Sequence, residues 1–179
     1  YIELFNRTAY LINLSDWTLK IGDEEKIFPE YTMSSNSYLL LCSRSKQDSL
    51  MRFGPSIGFS GFNLTNDHEQ IVLINKLGEI IDEVSYTDQW YHDNEKDGGG
   101  WSIEKIHPDN ICLLESNWAA SLSPLGGTPG EKNSIFSSLD ILPEVSFAKL
   151  LNDSVVELAF NQKMDGETII DSLNYSVNN

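Results

Sequence analysis

The stretch 62–86, FNLTNDHEQIVLINKLGEIIDEVSY, constrains the fold more strongly than any other part of the chain. Residues 70–75 form a short apolar run rich in β-branched side chains, and residues 80–86 alternate with a period of two. The turn between them, residues 76–79, contains a glycine, which tolerates positive φ. Two such runs joined by a short glycine-containing loop predict an antiparallel β-hairpin.

One carboxylate in this hairpin needs an explanation. Asp82 falls on the same strand face as Ile80, Val84 and Tyr86. Burying a carboxylate without partners is costly, so we expect Asp82 to accept hydrogen bonds from a neighbouring loop. A catalytic role is disfavoured because no partner acid or base lies near it in sequence.

In the rest of the first 134 residues, short strand-like runs again alternate with turns. This pattern is typical of an all-β sandwich or barrel. Residues 45–53 form the one stretch that could make a helical turn or two, whereas residues 54–61, with three glycines and a proline, are predicted to be a loop. The other predicted strands are 1–5, 17–21, 27–29 and 38–42, with polar turns at 22–25 and 34–37. Their alternation predicts a core containing Trp17, Leu19, Ile21, Leu40, Leu73, Val84 and Tyr86.

Charge and cysteine usage exclude several classes of function. Twelve Lys and Arg stand against 27 Asp and Glu, which gives a net charge of −15 that is spread along the chain. Nucleic acids and anionic lipids need clustered cations, so we predict neither as a partner. No apolar run approaches the roughly 20 residues of a membrane span, so we predict no membrane insertion. Cys42 and Cys112 are spaced for neither a metal knuckle nor a redox pair; two unrelated buried thiols are favoured over a disulfide.

Several short motifs, in a fixed order, resemble the lamin tail domain, the immunoglobulin-like module of nuclear lamins that also occurs in many secreted bacterial proteins. The motifs are YIELFN, LINLSDWTL, IFPE, SYLLLC, the hairpin described above, DGGGWSIEKI, SNWAAS and GGTPGEKNS. The last three resemble the bacterial branch. The resemblance covers residues 1–134 and implies an immunoglobulin-like antiparallel β-sandwich.

The resemblance also implies a strand upstream of Tyr1 that this sequence does not contain. An unpaired strand edge attracts further strands, so we expect this edge to be filled by residues 141–147 or by a neighbouring molecule.

A second β domain is predicted after a linker at residues 135–140. Residues 141–147, 154–161 and 173–177 have the character of strands, with Val156, Leu158 and Phe160 on one face. The segment VELAFNQKMDGETIIDSLNYSV resembles the first part of a bacterial immunoglobulin-like repeat. Residues 141–179 are too few to close such a sandwich, so this second domain is predicted to be truncated.

The candidate ligand-binding residues are Trp90 and Tyr91, which lie in a polar loop. An exposed aromatic pair could form a platform for a protein or glycan partner. The alternative is that the pair closes the edge of the sandwich.

The most specific chemical motif in the sequence is a partial match to a calcium-binding loop. In residues 93–104, Asp93, Glu95, Asp97 and Glu104 occupy positions 1, 3, 5 and 12 of an EF-hand-like pattern that has glycine at position 6. Three features argue against it: glutamate at position 3, Gly100 at position 8, and the lack of flanking helices. We therefore predict no cofactor and retain calcium as an alternative.

No catalytic residues are predicted, because the histidines lack metal-ligand spacing and no nucleophile can be paired with a base. The resemblance implies a non-catalytic module of a secreted or cell-surface multidomain bacterial protein, used for adhesion, spacing or protein interaction. Its immediate partners would be neighbouring domains of the same chain, and its location would be extracellular or at the cell surface. The alternative is a calcium- or carbohydrate-binding recognition domain, accessory to a secreted hydrolase.

The charge distribution predicts that the protein does not bind duplex DNA at physiological salt. In a gel-shift titration we expect no retarded band up to low micromolar protein, because no cluster of Lys or Arg can displace the counterions of the phosphates. A salt-dependent shift in this range would contradict the prediction.

Overall fold

The computed structural model describes residues 1–110, 114–138, 144–161, 164 and 173. Short strands dominate these residues, and the single α-helix, α1, spans Gln47–Leu50. The strands are β1 Ile2–Phe5, β2 Ile12–Asn13, β3 Thr18–Ile21, β4 Glu24–Ile27, β5 Thr32–Met33, β6 Tyr38–Ser43, β7 Ser56–Phe59, β8 His68–Ile74, β9 Ile80–Thr87, β10 Ile103–Lys105, β11 Trp118–Ala120, β12 Val145–Asn152 and β13 Val155–Phe160. The all-β prediction is therefore confirmed.

Two sheets enclose the main core. The larger has the strand order β4-β3-β8-β9, and the smaller has the order β1-β6-β7. Leucine and aromatic side chains fill the space between them. The buried members of this core are Leu14, Leu19, Ile21, Phe28, Met33, Leu39, Leu41, Ile57, Phe59, Phe62 and Leu73.

The predicted core is confirmed in most positions. Leu19, Ile21, Leu40 and Leu73 are buried, and Trp17 is partly buried against the core. Leu40, however, does not face the space between the sheets, because it lies on the opposite side of β6 from Leu39 and Leu41. Val84 and Tyr86 are also only partly buried, since β9 is the outermost strand of its sheet.

The predicted hairpin forms between β8 and β9, with Ile71 opposite Val84 and Glu69 opposite Tyr86. Gly78 adopts φ 84° in its turn, as the glycine there predicts. The expectation for Asp82 was wrong. Its side chain is exposed and accepts a hydrogen bond of 2.9 Å from the backbone N–H of Glu83, so no neighbouring loop is needed.

The segment after β6 departs from the predicted antiparallel arrangement. Arg44–Lys46 forms a 3₁₀ turn that leads into α1, which confirms the predicted helical turns. Ser56–Phe59, predicted as part of a loop, is strand β7 and pairs with β6 in parallel. Gly58 permits this return, because a Cβ there would lie 2.8 Å from the Cα of Arg44.

The predicted polar turn at residues 22–25 is shorter than expected. Gly22 and Asp23 make the turn, whereas Glu24 and Glu25 already belong to β4. Lys26 is directly opposite Leu19, so it points inward from an edge strand, and its Nζ lies 2.9 Å from a carboxylate oxygen of Glu24. Charges that point inward on an edge strand discourage pairing with another chain.

β12 and β13 form a separate two-stranded antiparallel hairpin. Leu150 pairs with Val156 and Ala148 with Leu158, while most side chains of both strands are exposed. The strand predicted at residues 154–161 is confirmed as β13. The strand predicted at residues 141–147 is confirmed from Val145 onward, but it continues to Asn152, beyond its predicted end. Residues 141–143 and 174–177 lie outside the described residues. Residues 145–147 pair with β13, so they do not fill the edge beside β1 as one alternative proposed.

Truncating the centre of the core should destabilise the sandwich. Leu41 is fully buried in the core, so Leu41→Ala should lower the free energy of unfolding by about 2–5 kcal/mol. Leu77→Ala, at a hairpin-turn position that is 75% exposed, is the matched control and should change it by less than about 0.5 kcal/mol. Urea unfolding followed by tryptophan fluorescence measures both, and equal effects would contradict the assigned core.

Candidate functional site

The outer face of the smaller sheet is covered by a later part of the chain. Glu3 and Leu40 are cross-strand partners, so both side chains point to this face. The backbone N–H of Gly130 donates a hydrogen bond of 2.5 Å to the Glu3 carboxylate. A Cβ on Gly127 would lie 2.8 Å from the hydroxyl of Tyr1, so this segment also packs closely on the residue that precedes β1. Residues 127–130 thus attach to the first strand of the sandwich.

Glu104 organises the covering segment. Glu104 is only 4% exposed, and its carboxylate accepts several hydrogen bonds. Ser134 donates both its backbone N–H at 2.8 Å and its hydroxyl at 2.7 Å, and the Thr128 hydroxyl donates at 2.8 Å. Ser102 adds a longer contact of 3.4 Å. A buried carboxylate with this many donors holds β10 and residues 128–134 together.

The two carboxylates have opposite pKa shifts. Burial raises the pKa of Glu3 to about 7; the hydrogen bond from Gly130 opposes this rise, and the negative charge of Glu104 adds to it. Burial would also raise the pKa of Glu104, but hydrogen bonds from Ser134, Ser121 and Thr128 outweigh it, so that pKa lies below its usual value. Two carboxyl groups with opposite pKa shifts could serve as a catalytic acid and a catalytic base. Here, however, both accept hydrogen bonds from backbone N–H groups and hold segments of the chain in place.

The structure does not present Trp90 and Tyr91 as an exposed pair. Asp88–Tyr91 is a 3₁₀ turn in which Tyr91 is buried, and its hydroxyl donates to the carbonyl of Trp101 at 3.0 Å. Trp90 is partly buried and tilts against Trp118, with ring centroids 6.0 Å apart. This arrangement supports the alternative reading, in which the aromatic residues close the edge of the fold.

The four predicted calcium ligands do not come together. Glu104 is turned into the network of Ser134 and Thr128, and Asp93 makes an ion pair of 3.4 Å with Lys96. The Lys96 ammonium also lies 4.5 Å from the centre of the Trp101 ring, so Asp93 is paired with a lysine that is itself packed on an aromatic ring. Glu95 and Asp97 remain in the loop, but the described residues contain no group of three or more possible metal ligands.

A pocket of about 390 Å³ opens where β6 meets the helical segment. Its apolar lining includes Leu50, Phe62 and Leu64, and Lys46 and Arg52 contribute cations. Cys42 lies there as a buried free thiol, and burial raises its pKa. Cys112 lies outside the described residues.

Sequence reasoning missed both Glu3 and the pocket. Glu3 lies in the strand predicted at residues 1–5, but its partner Gly130 is too distant in sequence for any local pattern to reveal. The pocket has one signal in the sequence, which is the local excess of cations in residues 44–52. The strongly negative net charge of the whole chain hides this excess.

The two facing sheets and the strand order define the class of the protein, an all-β module with an immunoglobulin-like fold. Residues 1–88 match the family model described as Lamin Tail Domain, and this part of the chain is a lamin tail domain. The resemblance drawn from the motifs is thereby confirmed over those residues. A search of the curated proteins finds no match. Domains of this family are generally non-catalytic. No helix among the described residues is long and apolar enough to cross a membrane.

Neutralising Glu3 should stabilise the protein in a pH-dependent manner. The pKa of Glu3 is about 7 in the folded state against 4.5 for the ordinary side chain, so the folded state binds this proton more tightly. The wild type should therefore lose stability relative to Glu3→Gln as the pH rises from about 4.5 to about 7, by on the order of 1–3 kcal/mol in total.

Chemical denaturation between about pH 4.5 and about pH 8 tests this expectation. Glutamine keeps an oxygen for the Gly130 N–H, so the comparison isolates the charge. Glu30→Gln, at an exposed position, is the control and should show no comparable change with pH. A Glu3→Gln difference that stays constant across this range would contradict the assigned role of Glu3.

Proposed function

We propose that the protein is a non-catalytic module of a secreted or cell-surface multidomain bacterial protein, serving in adhesion, spacing or protein interaction. The match of residues 1–88 to the lamin tail domain supports this proposal, because domains of this family are generally non-catalytic. We extend the module to residue 134, since Gly130 contacts Glu3 and Ser134 completes the Glu104 network.

The hairpin β12–β13 supports a multidomain arrangement. Val145, Leu150 and Val156 are each at least half exposed, although they are strand residues of the kind that normally face a core. A two-stranded hairpin is at best marginally stable by itself. We therefore assign residues 141–179 to a second β domain, joined by the linker at residues 135–140.

Recognition of calcium or a carbohydrate is the weaker candidate. Trp90 is the one predicted ligand-binding aromatic that keeps an accessible surface, and it already packs on Trp118. Tyr91 is buried, so the two rings do not form a platform for a sugar.

Locating the protein in its own cells tests the proposal. Antibodies against this chain should detect it in the culture medium or on intact cells, and protease added to intact cells should remove the surface signal. A cytosolic protein probed in the same samples controls for lysis. Detection only inside intact cells, protected from protease, would overturn the proposed location and with it this function.

A further inference from the structure

The pocket beside α1 combines an apolar floor with a cationic rim. Phe62 and Leu64 belong to the core side of the pocket, the first buried and the second partly buried. Lys46 and Arg52 lie at its exposed margin, and the Arg52 guanidinium carbon sits 4.6 Å from the centre of the Phe53 ring. Binding sites commonly have this composition, with a mostly apolar lining and a few placed polar groups.

The charge around the pocket is opposite to that of the whole chain. Residues 44–53 contain three cations, Arg44, Lys46 and Arg52, against the single carboxylate of Asp48, in a protein with a net charge of −15. Within the parts of the chain that the structure describes, neither Lys46 nor Arg52 makes an ion pair. These cations are available to a partner.

The apolar surface extends beyond the pocket itself. Met51 is 60% exposed and Phe53 is 36% exposed, and both flank Arg52 in the sequence. Methionine, aromatic residues and arginine are the types enriched at protein interfaces. This continuation favours a polypeptide partner, which would cover both the pocket and its margin.

We propose that this pocket docks an acidic segment of a partner protein, with an aliphatic or aromatic side chain inserted between Phe62 and Leu64 and carboxylates placed near Lys46 and Arg52. Apolar burial supplies the anchor, and the opposite charges fix the register and speed the encounter. The inference deepens the proposed role in protein interaction and rests on it.

Panning a library of random dodecapeptides on the full chain tests the proposal. We expect enrichment of sequences with one or two large apolar residues flanked by Asp or Glu. The strongest peptide is then titrated against Lys46→Gln/Arg52→Gln, which should lower its affinity about tenfold, because two charge pairs near a partly apolar site are lost. Raising the salt from about 0.05 M to about 0.5 M should weaken wild-type binding as well.

Lys76→Gln/Lys149→Gln is the matched control. It removes the same charge from exposed positions outside the pocket and should leave the affinity within about twofold. Unchanged thermal unfolding of both double variants would show that folding is not the cause. Selection of no acidic motif, or equal binding by the two double variants, would overturn the proposal.

Decanoate serves as a small amphipathic competitor. If it displaces the peptide at comparable concentration, the pocket recognises a small carboxylate and the protein-docking proposal is overturned. These outcomes are independent of cellular location, so a failure here can be told apart from a failure of the proposed function.

Discussion

The burial of β6 on both faces is the constraint on which the rest of the structure depends. Leu39 and Leu41 face the space between the sheets, and Leu40 and Cys42 face the other way, yet all four are almost inaccessible to solvent. A strand of this kind needs two covers. The larger sheet provides one, and residues 127–130 reach the opposite face at Glu3. The module is therefore a sandwich with a further layer formed by its later residues.

That further layer is held by polar contacts at its centre. A buried carboxylate is costly unless its oxygens are satisfied, and Glu104 meets this condition through Ser134 and Thr128. Glu3 is less well satisfied, because it has one backbone donor and the charge of Glu104 opposes its ionisation. The same surface thus contains one carboxylate that favours the folded state when ionised and another that favours it when protonated.

Local alternation predicted the fold class, the β8–β9 hairpin and the inward positions of Leu19 and Ile21. It failed where long-range contacts decide the structure. β7 was hidden by Gly54, Pro55 and Gly58, and it becomes a strand because the helical segment brings it beside β6. Asp82 was placed on the correct face, but alternation cannot tell whether anything covers that face.

The candidate site was less predictable than the fold. Trp90 and Tyr91 look like an exposed pair in a polar loop, yet a 3₁₀ turn directs Tyr91 towards Trp101. The oxygen spacing from Asp93 to Glu104 imitates a metal loop, but spacing does not reveal that Lys96 neutralises Asp93 or that Ser134 engages Glu104. Contacts between residues about 30 positions apart leave no periodic signal.

The bond between Glu3 and Gly130 joins residues 127 positions apart. During synthesis the first strand can pair with β6 long before the segment that covers its outer face has been made. Until then, the sheet face around Glu3 lacks this cover on a growing chain, with the hazard of premature association that exposed strands carry. Contacts of such long sequence separation also slow folding. The module is therefore complete only when its last segment has been synthesised. A chain that stopped before residue 130 would leave one face of the smaller sheet exposed and would not form a smaller, complete domain.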